Sequence, residues 1–380
     1  MFFDKILDAF KLENLFPEKY QNERVLNPID HNIKPSLDSN QQLLLLKNYW
    51  LRSNDYLKTE ITYRTASFKE KEYFALIDIL SCFSKGARNP DNFSPIILGE
   101  LGITNWNTYF NNLVKKDYLR SANINEILNA NYSLNDLKVI ADSVGVIKKG
   151  KKADLAVRIA PQLPAEQVEQ MIDETNLYSI SSKGKQVLIG NEDYILFHKY
   201  RHIISLAEFN DNRFPGGTHR RNFYDTMFQA LSNRVYFYEA NRNWELLCIT
   251  HIYTYNLLVD ESKKTDHIIH YDVILNHYIE YLYLLTCFCR HMRWAVKNKI
   301  FSNSLGGYVV PQPDAYVHKL SDYESSINYE LIFCNKPPGL LTNQEFKSYV
   351  HELLNEPMFN NGKWNCLLQK RVSDFYKLLK

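Results

Sequence analysis

The stretch YSLNDLKVIADSVGVIKKGKKADLAVRIA, residues 132–160, decides how the N-terminal half of the chain is expected to fold. Ser133 precedes an apolar helical pattern and Asp136 follows it by three residues, which is the spacing of a capping box. Gly145 suits the left-handed conformation that ends a helix. The pattern therefore predicts a helix between Ser133 and Gly145, a lysine-rich turn, and a second helix from Ala153.

Each of these two helices has one apolar face, so the pair can bury a small core. The apolar positions are Leu134, Leu137, Ile140, Ala141 and Val144 in the first helix, Val146 and Ile147 after the glycine, and Leu155, Val157 and Ile159 in the second helix. The spacing predicts a two-helix hairpin that leaves its lysines at the surface.

The turn between the two helices is basic. Residues 131–160 hold six basic and three acidic residues, a net charge of +3, whereas the whole chain of 380 residues carries only +2. Free N–H groups and the dipole at a helix N-terminus attract phosphates, and a turn without aromatic residues favours a duplex over a stacked single strand. The candidate DNA contacts of this turn are Lys148, Lys149, Gly150, Lys151, Lys152 and Arg158. The alternative is a solvated lysine turn between two structural helices.

The same residues resemble the SAP family of DNA-binding modules. The positions that match in order and spacing are Leu137-Lys138, Gly145-Val146, Gly150-Lys151-Lys152 and Leu155. The resemblance covers residues 131–160 and implies DNA binding through the turn and the start of the second helix, although some members bind RNA or dock proteins. Many members place Ser or Thr before the turn glycine; Lys149 stands there in this chain, which keeps a phosphate partner but loses a hydroxyl.

A second pattern flanks the first. Residues 94–120, SPIILGELGITNWNTYFNNLVKKDYLR, resemble the helix-turn-helix of MarR-type winged-helix proteins, with Asp117 in place of the usual glycine. Aspartate tolerates the same left-handed backbone shape. Residues 178–188, YSISSKGKQVL, resemble the second strand of the wing in such proteins. Because loop tips tolerate insertions, we expect a winged helix with the SAP-like hairpin inserted in its wing.

The helix expected over 105–116, with Thr104 as its cap, would be the recognition helix. Its residues that could read base edges in the major groove or contact DNA beside it are Asn105, Asn107, Thr108, Asn111, Asn112, Lys115 and Lys116. The alternatives are an ordinary amphipathic helix packed on the core and a protein-docking module. Trp106, Tyr109, Phe110 and Leu113 would supply the buried face in each case.

The remainder of the chain also has helical spacing. We predict an N-terminal helical segment over 1–65, a winged-helix-like domain over 66–192, and a helical scaffold over 193–380 whose antiparallel arrangement resembles tetratricopeptide proteins, without a clean repeat. The fold class is therefore mainly α with a small α+β part. Phe2, Phe3, Ile6, Leu7 and Phe10 lie on one face of the first helix, and a long helix is expected over 268–298.

Several other function classes are not favoured. Six cysteines without a CxxC pair indicate a reducing compartment, and the apolar runs Phe74–Phe83 and Tyr281–Cys289 are too short to span a membrane, so we expect a cytoplasmic protein without a membrane contact. We expect no metal, cofactor or catalytic site. The metal-like residues His267, His270, His277, Cys287, Cys289 and His291 lack the close pairs of a zinc site, and the basic loop 212–221 lacks the order of a phosphate loop.

Together these patterns indicate a DNA-binding protein. A composition rich in Tyr, Phe, Asn, Ile and Lys is typical of an AT-rich bacterial or phage genome, which suits a prophage or other mobile-element factor. Its partners would be double-stranded DNA and, for the C-terminal half, a protein or a second copy of the chain. Two alternatives stay open: an interaction scaffold that does not bind DNA, and a nucleic-acid-processing enzyme with an unrecognised site.

Overall fold

The computed structural model describes residues 37–52, 61, 63–214, 220–264, 270–287, 316–356 and 359–379. Helices dominate these residues, and one two-stranded sheet accompanies them, so the mainly helical class with a small β part is confirmed. Contacts group the chain into two compact units. One unit comprises the described residues of Ile61–Asn233, and the other comprises the described residues on either side of it.

The elements follow one another in a simple order. The helices are α1 (Ser39–Arg52), α2 (Phe68–Ser84), α3 (Pro95–Glu100), α4 (Trp106–Lys115), α5 (Ile124–Asn131), α6 (Leu134–Ser143), α7 (Lys152–Ile159), α8 (Ala165–Asp173), α9 (Ser182–Leu188), α10 (Glu192–Tyr200), α11 (Leu206–Arg213), α12 (Phe223–Ala240), α13 (Trp244–Lys264), α14 (Tyr271–Cys287), α15 (Tyr329–Asn335), α16 (Asn343–Asn355) and α17 (Asn361–Leu379). The strands are β1 (Leu119–Ser121) and β2 (Tyr178–Ile180), and short 3-10 helices span Pro90–Asn92, Ala160–Gln162 and Val317–Ser326.

Helix α2 is the centre of the unit Ile61–Asn233. Phe74, Ile77 and Leu80 are buried, as their helical spacing predicts, and α9, α10, α11 and β2 pack against this helix. Tyr73, on the same helix, is 42% exposed. Its hydroxyl accepts a hydrogen bond from Asn191 Nδ2 at 2.9 Å, which holds the polar end of the ring at the surface.

The two strands form an antiparallel pair. Leu119 lies opposite Ile180, and Ser121 lies opposite Tyr178. Helix α9 follows β2 closely, and Gly184 makes this possible: a Cβ atom there would lie 2.3 Å from the Tyr118 carbonyl oxygen. Only glycine lets the two backbones approach so closely.

Residues 122–177, which lie between the two strands in sequence, form a four-helix module built from α5, α6, α7 and α8. Its core contains Leu128, Leu137, Ala141, Leu155, Ala156, Ile159 and Leu163. Three positions predicted to face this core are exposed instead: Leu134 by 36%, Ile147 by 71% and Val157 by 56%. Ala156 of α7 belongs to this core, so the adjacent Val157 lies at the surface. Val146 packs against the same core, so the adjacent Ile147 is also left exposed.

The boundary between the units lies at 233–234 rather than at the expected 192–193. Phe197 of α10 and Phe209 of α11 are buried and stack with ring centroids 4.4 Å apart, and Phe197 also meets Phe74 of α2. Aromatic packing thus joins residues 193–233 to the unit that contains α2. Helix α12 extends across the boundary.

The other unit is helical and aromatic where it is described. Helix α13 packs along α14, the 3-10 helix Val317–Ser326 packs against α14 and α16, and α17 packs against α1. Helix α14 accounts for residues 271–287 of the long helix expected over 268–298, and His270 precedes it outside the helix. Residues 268–269 and 288–298 and the apolar face Phe2–Phe10 lie outside the described residues. Among the helices that the structure describes, none has the length and apolar character needed to cross a membrane.

Candidate nucleic-acid interface

Helix α6 begins and ends as its sequence predicts. The Ser133 hydroxyl accepts a hydrogen bond from Asp136 N–H, and Asp136 accepts one from Ser133 N–H at 2.8 Å, which confirms the capping box. Gly145 has φ +73°, and Val146 N–H donates to Ala141 O at 2.7 Å. The chain is thereby turned at a fixed point into the lysine-rich segment.

The basic turn, defined as Lys148–Lys152, is held in place by Arg158. Arg158 Nη2 donates to the Lys149 carbonyl oxygen, and it would lie 3.4 Å from a Cβ atom at position 150. Gly150 has φ +113°, a conformation that L side chains rarely adopt. Arg158 was predicted to contact DNA. In the structure its guanidinium holds the backbone that carries the lysines, and its contact with DNA stays a prediction.

The lysines of the basic turn differ in what they contact. Lys148 pairs with Asp142, at the end of α6. Lys149 and Lys151 are exposed, and no hydrogen bond or ion pair joins either side chain to another described residue. Hydrogen bonds from Ser133 hold the pKa of Asp136 below its ordinary value, and the nearby Lys152 ammonium adds to that effect. Lys149 and Lys151 are therefore the cations best placed for an external anion.

Helix α7 begins beside these lysines. Lys151 is its N-cap residue, and no side chain caps the first turn, so the helix leaves its N-terminal N–H groups to solvent or a ligand. Asp154 in the first turn opposes an anion there. The four-helix module as a whole carries eight acidic and six basic residues, so its basic turn is a local feature. Helix α8 holds no basic residue, and would be repelled by DNA.

Helix α4 presents one exposed polar face. Asn107, Thr108, Asn111, Asn112, Lys115 and Lys116 are all exposed, as expected for a recognition helix. Phe110 and Leu113 are buried on the opposite side, and Trp106 donates to Pro90 O at 2.8 Å. The predicted cap Thr104 is wrong. Asn105 is the cap instead, and its side-chain oxygen accepts from Thr108 N–H at 3.0 Å.

A cation that the sequence did not single out stands at the end of α4. Asp117 has φ +58°, the left-handed shape expected there, and Tyr118 N–H donates to Leu113 O. Lys183 Nζ donates to Lys116 O at 2.7 Å and lies 5.0 Å from the centre of the Tyr118 ring. The only sequence signal for Lys183 is its position within residues 178–188, the segment that resembles the second strand of the wing.

The exposed face of α4 and the basic turn form two separate groups. No hydrogen bond or ion pair between their described residues connects them. The basic loop 212–221 has a structural role at its ends: Arg213 and Arg220 both bind Asp193, Arg213 at 2.9 Å and Arg220 at 2.6 Å. Residues 215–219 of that loop lie outside the described residues.

The metal-like histidines do not form a metal site where they are described. His277 Nδ1 lies 2.9 Å from His251 Nδ1, so one ring donates to the other. Burial, with a smaller effect of Lys336, lowers the pKa of His251 to about 3. His267, Cys289 and His291 are outside the described ranges, within which no three His, Cys, Asp or Glu side chains meet in a metal-binding group.

These geometries are the basis for assigning a function, since the chain has no match among family models, curated proteins or solved structures.

Proposed function

We propose that the unit Ile61–Asn233 binds duplex DNA through the basic turn, as a cytoplasmic factor of a bacterium, phage or other mobile element. The observation that carries this proposal is that Lys149 and Lys151 are exposed, pair with no described residue, and lie beside the N-terminus of α7, where no described side chain caps the helix. Arg158 and Gly150 fix the turn, so the lysines are held near the N–H groups before any ligand arrives. Preorganised cations lose less entropy when they bind phosphates.

The arrangement of α4, β1 and β2 supports the winged-helix part of the proposal. A helix with an exposed polar face precedes an antiparallel strand pair, and the four-helix module lies in sequence between the strands. In this proposal α4 enters a groove, and Asn107, Asn111 and Asn112 meet base edges. The basic turn, resembling a SAP module, contacts the phosphates and supplies most of the affinity.

For the second unit we propose contact with a protein partner or another copy of the chain, on a tetratricopeptide-like scaffold. Its described helices include two packed pairs, α13 with α14 and α1 with α17, which supports a scaffold role. An interaction scaffold that does not bind DNA remains the main alternative. It differs from the proposal in one measurable respect: protein docking does not require the steep salt dependence that phosphate contact produces.

The decisive experiment measures the affinity of the whole protein for a random duplex across a salt series. The variant is Lys149→Glu/Lys151→Glu/Lys152→Glu, and the control is Lys71→Glu/Lys199→Glu/Lys370→Glu, which changes the charge equally at exposed lysines elsewhere. Each phosphate contact contributes about 0.9 to the slope of log affinity against log salt, so loss of three contacts should lower the slope by about 3.

The control variant should keep most of its slope. Equal slopes for the two triple variants, or no binding by the wild type, would refute the assignment of DNA binding to the basic turn. Circular dichroism of both variants establishes that each is folded before the comparison is made.

A further inference from the structure

A polar cleft lies beside the C-terminal half of α2, and none of its lining residues belongs to the basic turn or to the exposed face of α4. Its volume is about 560 Å³, which falls in the range of small-ligand pockets. Ile79, Phe93, Ile97 and Leu177 give it an apolar wall. The remaining lining is mostly polar, so the cleft combines a surface for a flat ring with many hydrogen-bonding groups.

A buried carboxylate orients a histidine at this cleft. Asp78 is 4% exposed, and its Oδ1 lies 2.7 Å from Nδ1 of His198, whose side chain is 38% exposed. Because Nδ1 lies beside the carboxylate, Nε2 is the ring nitrogen left for a ligand. Asp78 comes from α2 and His198 from α10, 120 positions later, so the pair exists only in the folded unit.

Two cations border the same cleft. Arg88 Nε donates to Cys82 O at 2.7 Å, and the Arg88 backbone exchanges two hydrogen bonds of 2.9 Å with Tyr178. Its terminal guanidinium nitrogens bond to no other described residue, and Lys85 is likewise exposed and unpaired among the described residues. Arg88 is therefore fixed at its base and free at the end that binds phosphate oxygens in pairs.

The thiol of Cys82 is close enough to Arg88 and Lys85 for both cations to affect its pKa. Burial raises the pKa of Cys82 and Asp78 adds to this rise, while Arg88 and Lys85 act in the opposite direction. The thiol therefore stays protonated near neutral pH and is not an activated nucleophile.

Amide and hydroxyl groups complete the lining. They are supplied by Asn89, Asn92, Ser94, Asn129 and Asn131. The Asn89 oxygen accepts from Asp91 N–H at 2.8 Å, whereas the side chains of Asn129 and Asn131 bond to no described residue. Among the described residues that line the cleft, Asp78 is the only carboxylate, and it already pairs with His198. The cleft therefore offers hydrogen-bond donors and cations to an anion. Its amide groups can bond to the polar edge of a planar ring.

We propose that this cleft binds a nucleoside monophosphate, either as a free nucleotide or as the phosphorylated end of a DNA strand. Arg88, Lys85 and His198 bind the phosphate. Asn129 and Asn131 bond the edge of the base, whose face lies on the apolar wall. The site is independent of the basic turn, so it neither requires nor implies duplex binding there.

The test is calorimetric titration of the full chain with adenosine and guanosine monophosphates, with inorganic phosphate and adenosine as references. Binding of at least one nucleotide at least tenfold tighter than either reference is expected. No binding at millimolar nucleotide, or equal binding of inorganic phosphate, would overturn the proposal. Two comparisons with a short single strand that carries a 5′-phosphate identify the source of the ligand. Binding of this strand tenfold tighter than its 5′-hydroxyl form identifies a DNA end. Binding of the mononucleotide in preference to the phosphorylated strand identifies a free nucleotide.

Variants locate the site. Lys85→Gln and Asn131→Asp should each weaken nucleotide binding at least fivefold, whereas Lys199→Gln and Asn135→Asp, the same changes at other positions, should leave it unchanged. Both cleft residues are exposed, so their replacement keeps the fold. Equal affinities for cleft and control variants would place the ligand elsewhere and reject the proposal. The triple lysine variant of the basic turn should bind nucleotide normally, which separates this test from that of duplex binding.

Discussion

Replacing Gly184 with alanine should destabilise the unit Ile61–Asn233. The new Cβ atom would lie 2.3 Å from the Tyr118 carbonyl oxygen and 2.7 Å from Ile180 Cγ1, whereas ordinary contact begins at 3.4 Å. Helix α9 or strand β1 must therefore shift by about 1 Å, and such overpacking typically costs about 1–3 kcal/mol. Alanine's better helix propensity offsets up to about 1 kcal/mol of this cost, which leaves an expected net loss of up to about 2 kcal/mol.

The matched control is Gly99→Ala in α3, where a Cβ atom would meet nothing within 4 Å. This change should be neutral or slightly stabilising, because alanine favours the helix and touches no neighbour. Urea unfolding of both variants, monitored by hydrogen exchange in peptides from residues 61–233, measures the difference in the free energy of unfolding of this unit. Equal free energies of unfolding for the two variants would show that α9 does not approach β1 as closely as described.

Three further predictions concern other parts of the chain. Asp117→Gly should raise the free energy of unfolding by up to about 1 kcal/mol, because glycine adopts φ +58° without strain; a lower urea midpoint would contradict this. Arg158→Gln should weaken duplex binding several-fold more than Lys138→Gln, which removes the same charge outside the turn; equal losses in a titration would deny Arg158 its positioning role. Burial keeps His251 and His277 neutral in the folded chain, whereas in the unfolded chain both gain protons below about pH 6.5. The unfolding free energy should therefore fall from pH 7 to pH 5, by up to about 1.4 kcal/mol per pH unit for each histidine. It should fall less steeply in the variant His251→Gln/His277→Gln, and parallel pH curves for the two proteins would disprove the prediction.

Local features of the fold could be predicted from the sequence because few residues determine them. The capping box of Ser133 and Asp136 needs only a spacing of three, and Gly145 and Asp117 reveal left-handed positions through their residue types. The exposed face of α4 followed from helical spacing in the same way. Each of these signals lies within a few residues of the structure that it determines.

Features set by tertiary packing could not be predicted in this way. Thr104 and Asn105 are both suitable caps, and their residue types do not show which of them caps α4; in the structure it is Asn105. The bond from Arg158 to the turn backbone spans nine residues and has no sequence signature, so its positioning role could not be predicted. The pairing of Asp78 with His198 joins distant helices, and no local pattern marks it.

The placement of the four-helix module has a consequence for how this protein can change. The module leaves β1 and returns to β2 at points that almost touch, since Ala122 N–H donates to Leu177 O at 2.9 Å. A segment whose two ends are adjacent can be removed, replaced or moved to another host by one excision, with only a tight turn needed to rejoin the strands. Residues 122–177 are in this sense a cassette: selection can exchange them without redesigning the scaffold that carries them.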